Sequence, residues 1–208
     1  NPSRQAITLN LPESDGNHEG LFRFWRKVLD GLEPIPPVEV ATGPVFENIL
    51  EGDAIDLEKF PVPIWHPQDG GRFIGTSSLN ILKDPDSDWV NVGTYRNHVF
   101  GKDEMGVFIS PGKHGKLIRE AYFDKGEPCP IVVVVGANPL LFMAACAEGI
   151  PYGTDEFAWA GGVRGKAIEV VRGKHTGIPF PATAEIAIEG FMYPGDVHEE
   201  GPYGEWMG

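Results

Sequence analysis

The segment Phe73-Ile-Gly-Thr-Ser-Ser-Leu-Asn-Ile-Leu-Lys-Asp-Pro-Asp-Ser-Asp-Trp-Val-Asn-Val-Gly-Thr-Tyr-Arg-Asn-His-Val-Phe100 decides the class of fold. Phe73 to Leu82 and Trp89 to Phe100 are rich in β-branched and aromatic residues, and Asp84-Pro-Asp-Ser-Asp88 between them is turn chemistry. The reading is a hairpin with a five-residue loop. Asn91 and Arg96 are five residues apart, so a regular strand would send them to opposite faces. If they serve one site, the strand must break between them, and Gly93 is the expected place.

Outward from this hairpin the chain alternates short strands and short helices. Residues 18–32 carry Leu21, Phe22, Trp25, Val28, Leu29 and Leu32 at helical spacing, with Asp15 as an expected cap. The Pro-rich stretch Glu33 to Pro37 is a connector, and Ala54 to Pro67 is a second one. Residues 113–125 read as a helix stopped by Gly126, and Ile131 to Val135 as a strand buried on both faces. Asn138-Pro139 opens a short apolar helix from Leu140 to Ala147, and Lys166 to Arg172 and Ala184 to Phe191 are further strands. The pattern predicts a mixed α/β (α+β) protein rich in antiparallel hairpins. It does not specify a topology.

Bulk properties narrow the function classes. The 208 residues are 41% hydrophobic and 23% charged, ordinary globular composition. A formal net charge of −13 argues against nucleic acid or an anionic membrane surface as partner, since both need clustered Lys and Arg. No apolar run approaches the length of a membrane span. Two cysteines, Cys129 and Cys146, have no metal or redox spacing, sit in or beside apolar runs and read as inert; a reducing cytoplasm is expected. The chain starts at Asn1 without Met and ends at Gly208, just past Glu200-Gly-Pro-Tyr-Gly-Glu205, so an incomplete protein is expected.

Polar residues in apolar places are the chemical candidates. Asn91 lies within a strand pattern, His114 opens a helix, and Glu156 follows the turn Pro151-Tyr-Gly-Thr-Asp155 near a helix start. Each alone has a structural explanation: a bulge, a surface imidazole, a carboxylate at a helix dipole. Together they form an O/N/O ligand set suited to Mn2+ or Mg2+ with positions left for phosphate oxygens. A second set is Arg96, Glu200 and Glu205, which is either a solvated acidic loop near a strand Arg or a general acid/base group. Asp84 to Asp88 lacks the Gly and the final Glu of a Ca2+ loop, and Trp65-His66 either lines a pocket or covers the core edge.

Six blocks occur in one order. They are Gly71-Arg-Phe-Ile-Gly-Thr76, Asp88-Trp-Val-Asn-Val-Gly-Thr-Tyr-Arg96, Ile109-Ser-Pro-Gly-Lys-His114, Gly153-Thr-Asp-Glu156, Pro181-Ala-Thr-Ala-Glu-Ile186 and Glu200-Gly-Pro-Tyr-Gly-Glu205. This series resembles the UbiD-like decarboxylases, over about residues 60 to 208. The resemblance implies a prenylated FMN held through its phosphate by Mn2+ (or Mg2+), with K+ nearby. It implies metal ligands Asn91, His114 and Glu156. It implies cofactor contacts from Asn91, Val92, Gly93, Thr94, Tyr95, Arg96, Lys113, His114 and Glu156, and a catalytic set of Arg96, Glu200 and Glu205 with Glu205 as proton donor.

The implied fold is an antiparallel split β-barrel of the flavin-reductase type with short inserted helices. It would occupy residues 69–208, preceded by an N-terminal α/β lobe and connector over residues 1–68. The implied activity is reversible non-oxidative decarboxylation of an aromatic, heteroaromatic or α,β-unsaturated carboxylic acid. A flavin prenyltransferase would supply the cofactor, and the full-length protein would be a homo-oligomer. The family's C-terminal domain is expected to be missing, which would leave this fragment incomplete for turnover. Two other readings stand beside it: an FMN-dependent oxidoreductase, which needs neither the metal set nor the Glu-Arg-Glu set, and a non-catalytic flavin-binding domain.

Overall fold

The computed structural model describes residues 1–9, 11–147 and 149–204. Ten strands and five α-helices lie along it, with four short 3-10 turns in the first 59 residues. Helix α1 (Pro2–Thr8) and helix α2 (His18–Gly31) come first, followed by strand β1 (Val38–Glu39) after the Pro-rich connector. Then come β2 (Arg72–Phe73), β3 (Leu79–Lys83), β4 (Val90–Gly93), β5 (Arg96–Val99) and β6 (Met105–Phe108). The second half holds α3 (His114–Asp124), β7 (Cys129–Val135), α4 (Pro139–Ala145), α5 (Glu156–Arg164), β8 (Glu169–Arg172), β9 (Pro179–Pro181) and β10 (Ile186–Met192).

The described strands form three sheets, ordered β10-β7-β3-β4, β2-β5-β6 and β1-β8-β9, and none of them closes into a barrel. Only the β1–β8 pair is parallel. The four-stranded sheet is central, and its strands feed two cores by simple alternation. From β7, Val132 and Val134 point into one cluster with Leu79, Ile81, Leu140, Leu141 and Phe157. Ile131, Val133 and Cys129 point into the other, with Leu82, Tyr95, Ile109 and Ile118. The continuous apolar run read as a doubly buried strand is therefore that, extended back to Cys129. Each Val or Leu so buried contributes roughly 1.5–3 kcal/mol. Leu9, just past α1, and Leu21 of α2 enter the first cluster.

The expected hairpin is present between Leu79–Lys83 and Val90–Gly93, closed by Asp84 N–H donating to Trp89 O and by Ser87 Oγ donating to Asp84 Oδ2. Its two long strands, however, are each cut in two. Phe73 and Arg96–Val99 belong to a different sheet from the hairpin. The ladder stops at Gly93, opposite Asn80, and pairing resumes at Arg96, opposite Phe108. The cause is a buried polar knot. The Asn80 amide donates to Tyr95 O at 2.9 Å, Ser78 Oγ donates to the same oxygen at 3.2 Å, and Asn97 Nδ2 donates to Asn80 Oδ1 at 2.9 Å. These side chains take over the backbone group that a straight ladder would have paired. Helix α2 is capped by Asn17, whose side chain accepts from Gly20 N–H, and not by Asp15, which lies in the preceding turn and pairs with Arg23.

Candidate functional site

The break at Gly93 places the residues on either side of it in different surroundings. On the β4 side, Asn91 is buried and its amide nitrogen donates to Glu156 Oε1 at 2.8 Å. Val92 N–H donates to Glu156 Oε2 at 2.9 Å. Glu156 is the first residue of α5, and the preceding Asp155 caps that helix by accepting from Phe157 and Ala158 N–H. A carboxylate in the first helical turn is favoured by the dipole. Burial nevertheless dominates and pushes the Glu156 carboxyl up to about 7, against the hydrogen bonds from Val92, its own backbone and Asn91. The group is only 4% exposed and sits beside the second acid Asp155. A cation in this pocket would relieve both costs.

Asn91 gives its nitrogen to Glu156, which leaves its oxygen facing the Tyr95 hydroxyl at 3.5 Å. That hydroxyl also accepts from Gly115 N–H at 3.1 Å, so Tyr95 links β4 to the first turn of α3. The phenol needs the glycine at 93, where a Cβ would lie 2.5 Å from its ring. His114, first residue of α3, packs against Trp89 and Tyr152 with centroids 5.7 and 5.3 Å away. The Trp89 indole donates to Thr154 O at 2.9 Å, which ties the turn before α5 to the same cluster. Burial and neighbouring Lys113 hold the His114 imidazole below its usual value, so it is neutral and able to offer a lone pair at neutral pH.

These residues share one pocket of about 180 Å3. It is lined by Asn91 to Tyr95 from the break, Gly112 to His114 at the start of α3, Glu156, and Ala145, Cys146, Ala147 and Ile150 near the end of α4. The structure thus brings together the whole predicted ligand and contact set except Arg96. Cys146 is exposed and lines this pocket, whereas Cys129 is buried with its thiol pushed up to about 12. The donor set suits a hard or borderline cation: an amide oxygen, a buried carboxylate and a neutral imidazole. The positive end of α3 and Lys113 add what an anion needs. Cofactor sites span roughly 300–1,000 Å3. A pocket of about 180 Å3 therefore fits the phosphate end of a flavin nucleotide better than all of it.

On the other side of the break, Arg96 turns toward the end of the chain. Its Nε and Nη2 donate to the two Glu200 oxygens, both at 2.7 Å, a fork-to-fork pair with each side chain mostly buried. The guanidinium lies 4.3 Å from the Phe108 ring centre and 5.2 Å from that of Tyr203. Glu205 lies outside the described residues. A wider cleft of about 480 Å3 opens beside this pair, lined by His66, Pro67, Gln68, Asp69, Pro202, Tyr203 and Gly204. His66 is therefore a lining residue, while the Trp65 indole donates to Phe73 O.

Sequence reasoning passed over the Ser78–Asn80–Asn97 knot, although two polar residues within an apolar strand run were its signal. It also passed over Trp89, Tyr152 and the end of α4, for which spacing carried no signal.

Residues 37–208 match the family described as UbiD: 3-octaprenyl-4-hydroxybenzoate carboxy-lyase Rift-related domain. The chain belongs to the UbiD family. It is 34% identical over 206 residues to the pyrrole-2-carboxylic acid decarboxylase of Pseudomonas aeruginosa, covering 99% of this chain and 41% of that protein. Among solved structures it is similar to the UbiD-class enzyme HmfF from Pelotomaculum thermopropionicum in complex with FMN, with a TM-score of 0.87 and 30% identity. That match covers 100% of this chain and 45% of HmfF. An evolved dimeric form of HmfF in complex with prFMN gives a TM-score of 0.86 at 29% identity, covering 99% of this chain and 46% of that one. The chain thus spans less than half the length of the relatives it matches. No helix among the described residues is long and apolar enough to cross a membrane.

Proposed function

We propose that this chain is the cofactor-holding part of a reversible non-oxidative decarboxylase acting on an aromatic, heteroaromatic or α,β-unsaturated carboxylic acid with prenylated FMN. One observation carries the reading: Glu156 is locked by Asn91 and Val92 in a pocket that it shares with His114 and Lys113. Among the described residues Glu156 makes no ion pair, and a carboxylate this buried is one that a bound metal ion would stabilise. Asn91, His114 and Glu156 would hold Mn2+ or Mg2+ against the cofactor phosphate, and Lys113 would add charge. The accompanying K+ rests on the family resemblance alone.

Bound prenylated FMN supplies the electron-accepting chemistry that lets the substrate carbon release CO2. The chain's own residues do the rest. Arg96, aimed by its fork with Glu200, orients the substrate carboxylate; Glu205 hands a proton to the carbon left behind. Residues 69–208 would be the cofactor domain, a split β-barrel of the flavin-reductase type, and residues 1–68 a supporting lobe. The consecutive strands β4 and β5, shared between two sheets, support the split-barrel reading. The evolved dimeric form of HmfF supports a homo-oligomer for the full-length protein, and the unpaired cysteines support a reducing cytoplasm.

The test is expression of the full-length protein with a flavin prenyltransferase. The expected product carries a prenylated-flavin spectrum and stoichiometric divalent metal, both lost in Glu156→Ala. Ordinary FMN without metal would point to an oxidoreductase, and neither ligand to a non-catalytic domain. Glu205→Gln should abolish hydrogen exchange at the product carbon; unchanged exchange and CO2 release would remove Glu205 from the mechanism.

A further inference from the structure

Residues 193–204 contain no helix or strand, yet they carry Glu200 to Arg96. Among the described residues the backbone ties of this stretch are Asp196 N–H to nearby Tyr193 O, Gly70 N–H to Pro202 O at 2.7 Å and Gly204 N–H to Asp69 Oδ1 at 2.8 Å. Side chains hold the stretch between: His198 Nε2 meets Glu104 Oε1 at 2.7 Å, and a column of rings runs from His198 to Tyr203. Tyr203 lies on Phe73 with centroids 4.5 Å apart, Phe73 stacks on His98 at 4.6 Å, His98 meets Phe100 at 4.3 Å, and Phe100 stacks on His198 at 4.8 Å. The two ends of the column, His198 and Tyr203, flank Glu200 in the chain.

The middle of the column comes from one strand face. Arg96, His98 and Phe100 are spaced by two, so β5 and its extension present them on the same side. His98 is the central ring. It is 7% exposed, and its Nδ1 is buried with no hydrogen-bond partner. Burial also holds the imidazole below its usual value, so it is uncharged. The ring lies so close to the backbone of Gly71 that a Cβ there would fall 1.9 Å from Nε2. This gives Gly71 of the first sequence block its reason. A buried imidazole that leaves a nitrogen unpaired is behaving as an aromatic plate.

We propose that His98 is a positioning residue: as the central ring of this column it seats residues 198–203 so that Glu200 meets Arg96, and it does so by stacking. The proposal rests on the reading of Arg96 and Glu200 as the reacting-site pair, but the seating can be measured without turnover.

The experiment compares amide hydrogen exchange in the full-length, cofactor-loaded protein with that of its His98→Ala and His98→Phe variants. His98→Ala is expected to speed exchange across residues 198–204 by about tenfold while β7 stays protected, and His98→Phe to restore the slow rate. Unchanged exchange in His98→Ala overturns the proposal. So does a rise spread equally over β7, which marks a merely structural residue. Fast exchange in His98→Phe also overturns it, because the nitrogens would then matter more than the ring. If His98→Ala does not fold, Phe73→Leu replaces it, with the same rise expected across 198–204 and the same overturning outcomes. A Glu200→Gln protein that keeps releasing CO2 would sink the catalytic reading of the pair and leave the exchange result intact.

Discussion

Glu156 offers the sharpest quantitative check. In the unfolded chain its carboxyl titrates near 4.5; in the fold, burial pushes it up to about 7. Because the folded value is raised, the folded state binds more protons between these two pH values. The associated stability is fully present below about pH 4.5 and is lost as pH rises through about 7. At about 1.4 kcal/mol per pH unit, the loss amounts to about 3 kcal/mol in metal-free protein. Glu156→Gln cannot ionise. Gln offers one acceptor oxygen to two donors, Asn91 Nδ2 and Val92 N–H, so the variant carries a fixed cost of about 1 kcal/mol. The difference in stability, variant minus native, should therefore grow in the variant's favour by about 3 kcal/mol from pH 4.5 to pH 8. Urea unfolding of both proteins in the presence of a chelator measures it, and subtraction removes every other titrating group. Saturating Mn2+ should reverse the trend, since a cation favours the ionised form. A difference constant to within about 1 kcal/mol across the range would refute burial as the dominant influence on this carboxyl.

Three further outcomes are expected. Arg96→Lys loses the fork to Glu200 and the stack on Phe108, and should lower stability by about 2 kcal/mol in urea unfolding. A double-mutant cycle with Glu200→Gln should show that most of this is one interaction. Tyr95→Phe strips the acceptor from Gly115 N–H and should cost about 1–3 kcal/mol, with weaker Mn2+ binding by titration because His114 begins the same helix. Asn80→Leu orphans Tyr95 O from one donor and Asn97 Nδ2 from its acceptor, and should cost about 2–4 kcal/mol by thermal or urea unfolding. A cost near zero would mean that Ser78 alone holds the break.

The charge balance argued against nucleic acid as a partner. The hairpin was legible from its turn residues, and the α3 helix and the β7 strand from periodicity and an unbroken apolar run. These are local signals, carried by neighbours within a few residues. The break near Gly93 was legible on the condition that Asn91 and Arg96 serve one site; the ladder does stop there, although Arg96 lies outside the Asn91 pocket. What the blocks could not convey was the division of labour across that break. Only the tertiary structure set Asn91 and Glu156, 65 positions apart, in hydrogen-bond contact, and sent Arg96 to Glu200, 104 positions away. It also decided that Ser78 and Asn80, with Asn97 bonded to Asn80, would capture the Tyr95 carbonyl, turning two expected long strands into members of two sheets. The physical reason is that burial and the partners of polar groups are set by chain segments remote in sequence. The same Asn can satisfy a bulge or hold a carboxylate, and nothing within its own strand distinguishes the two.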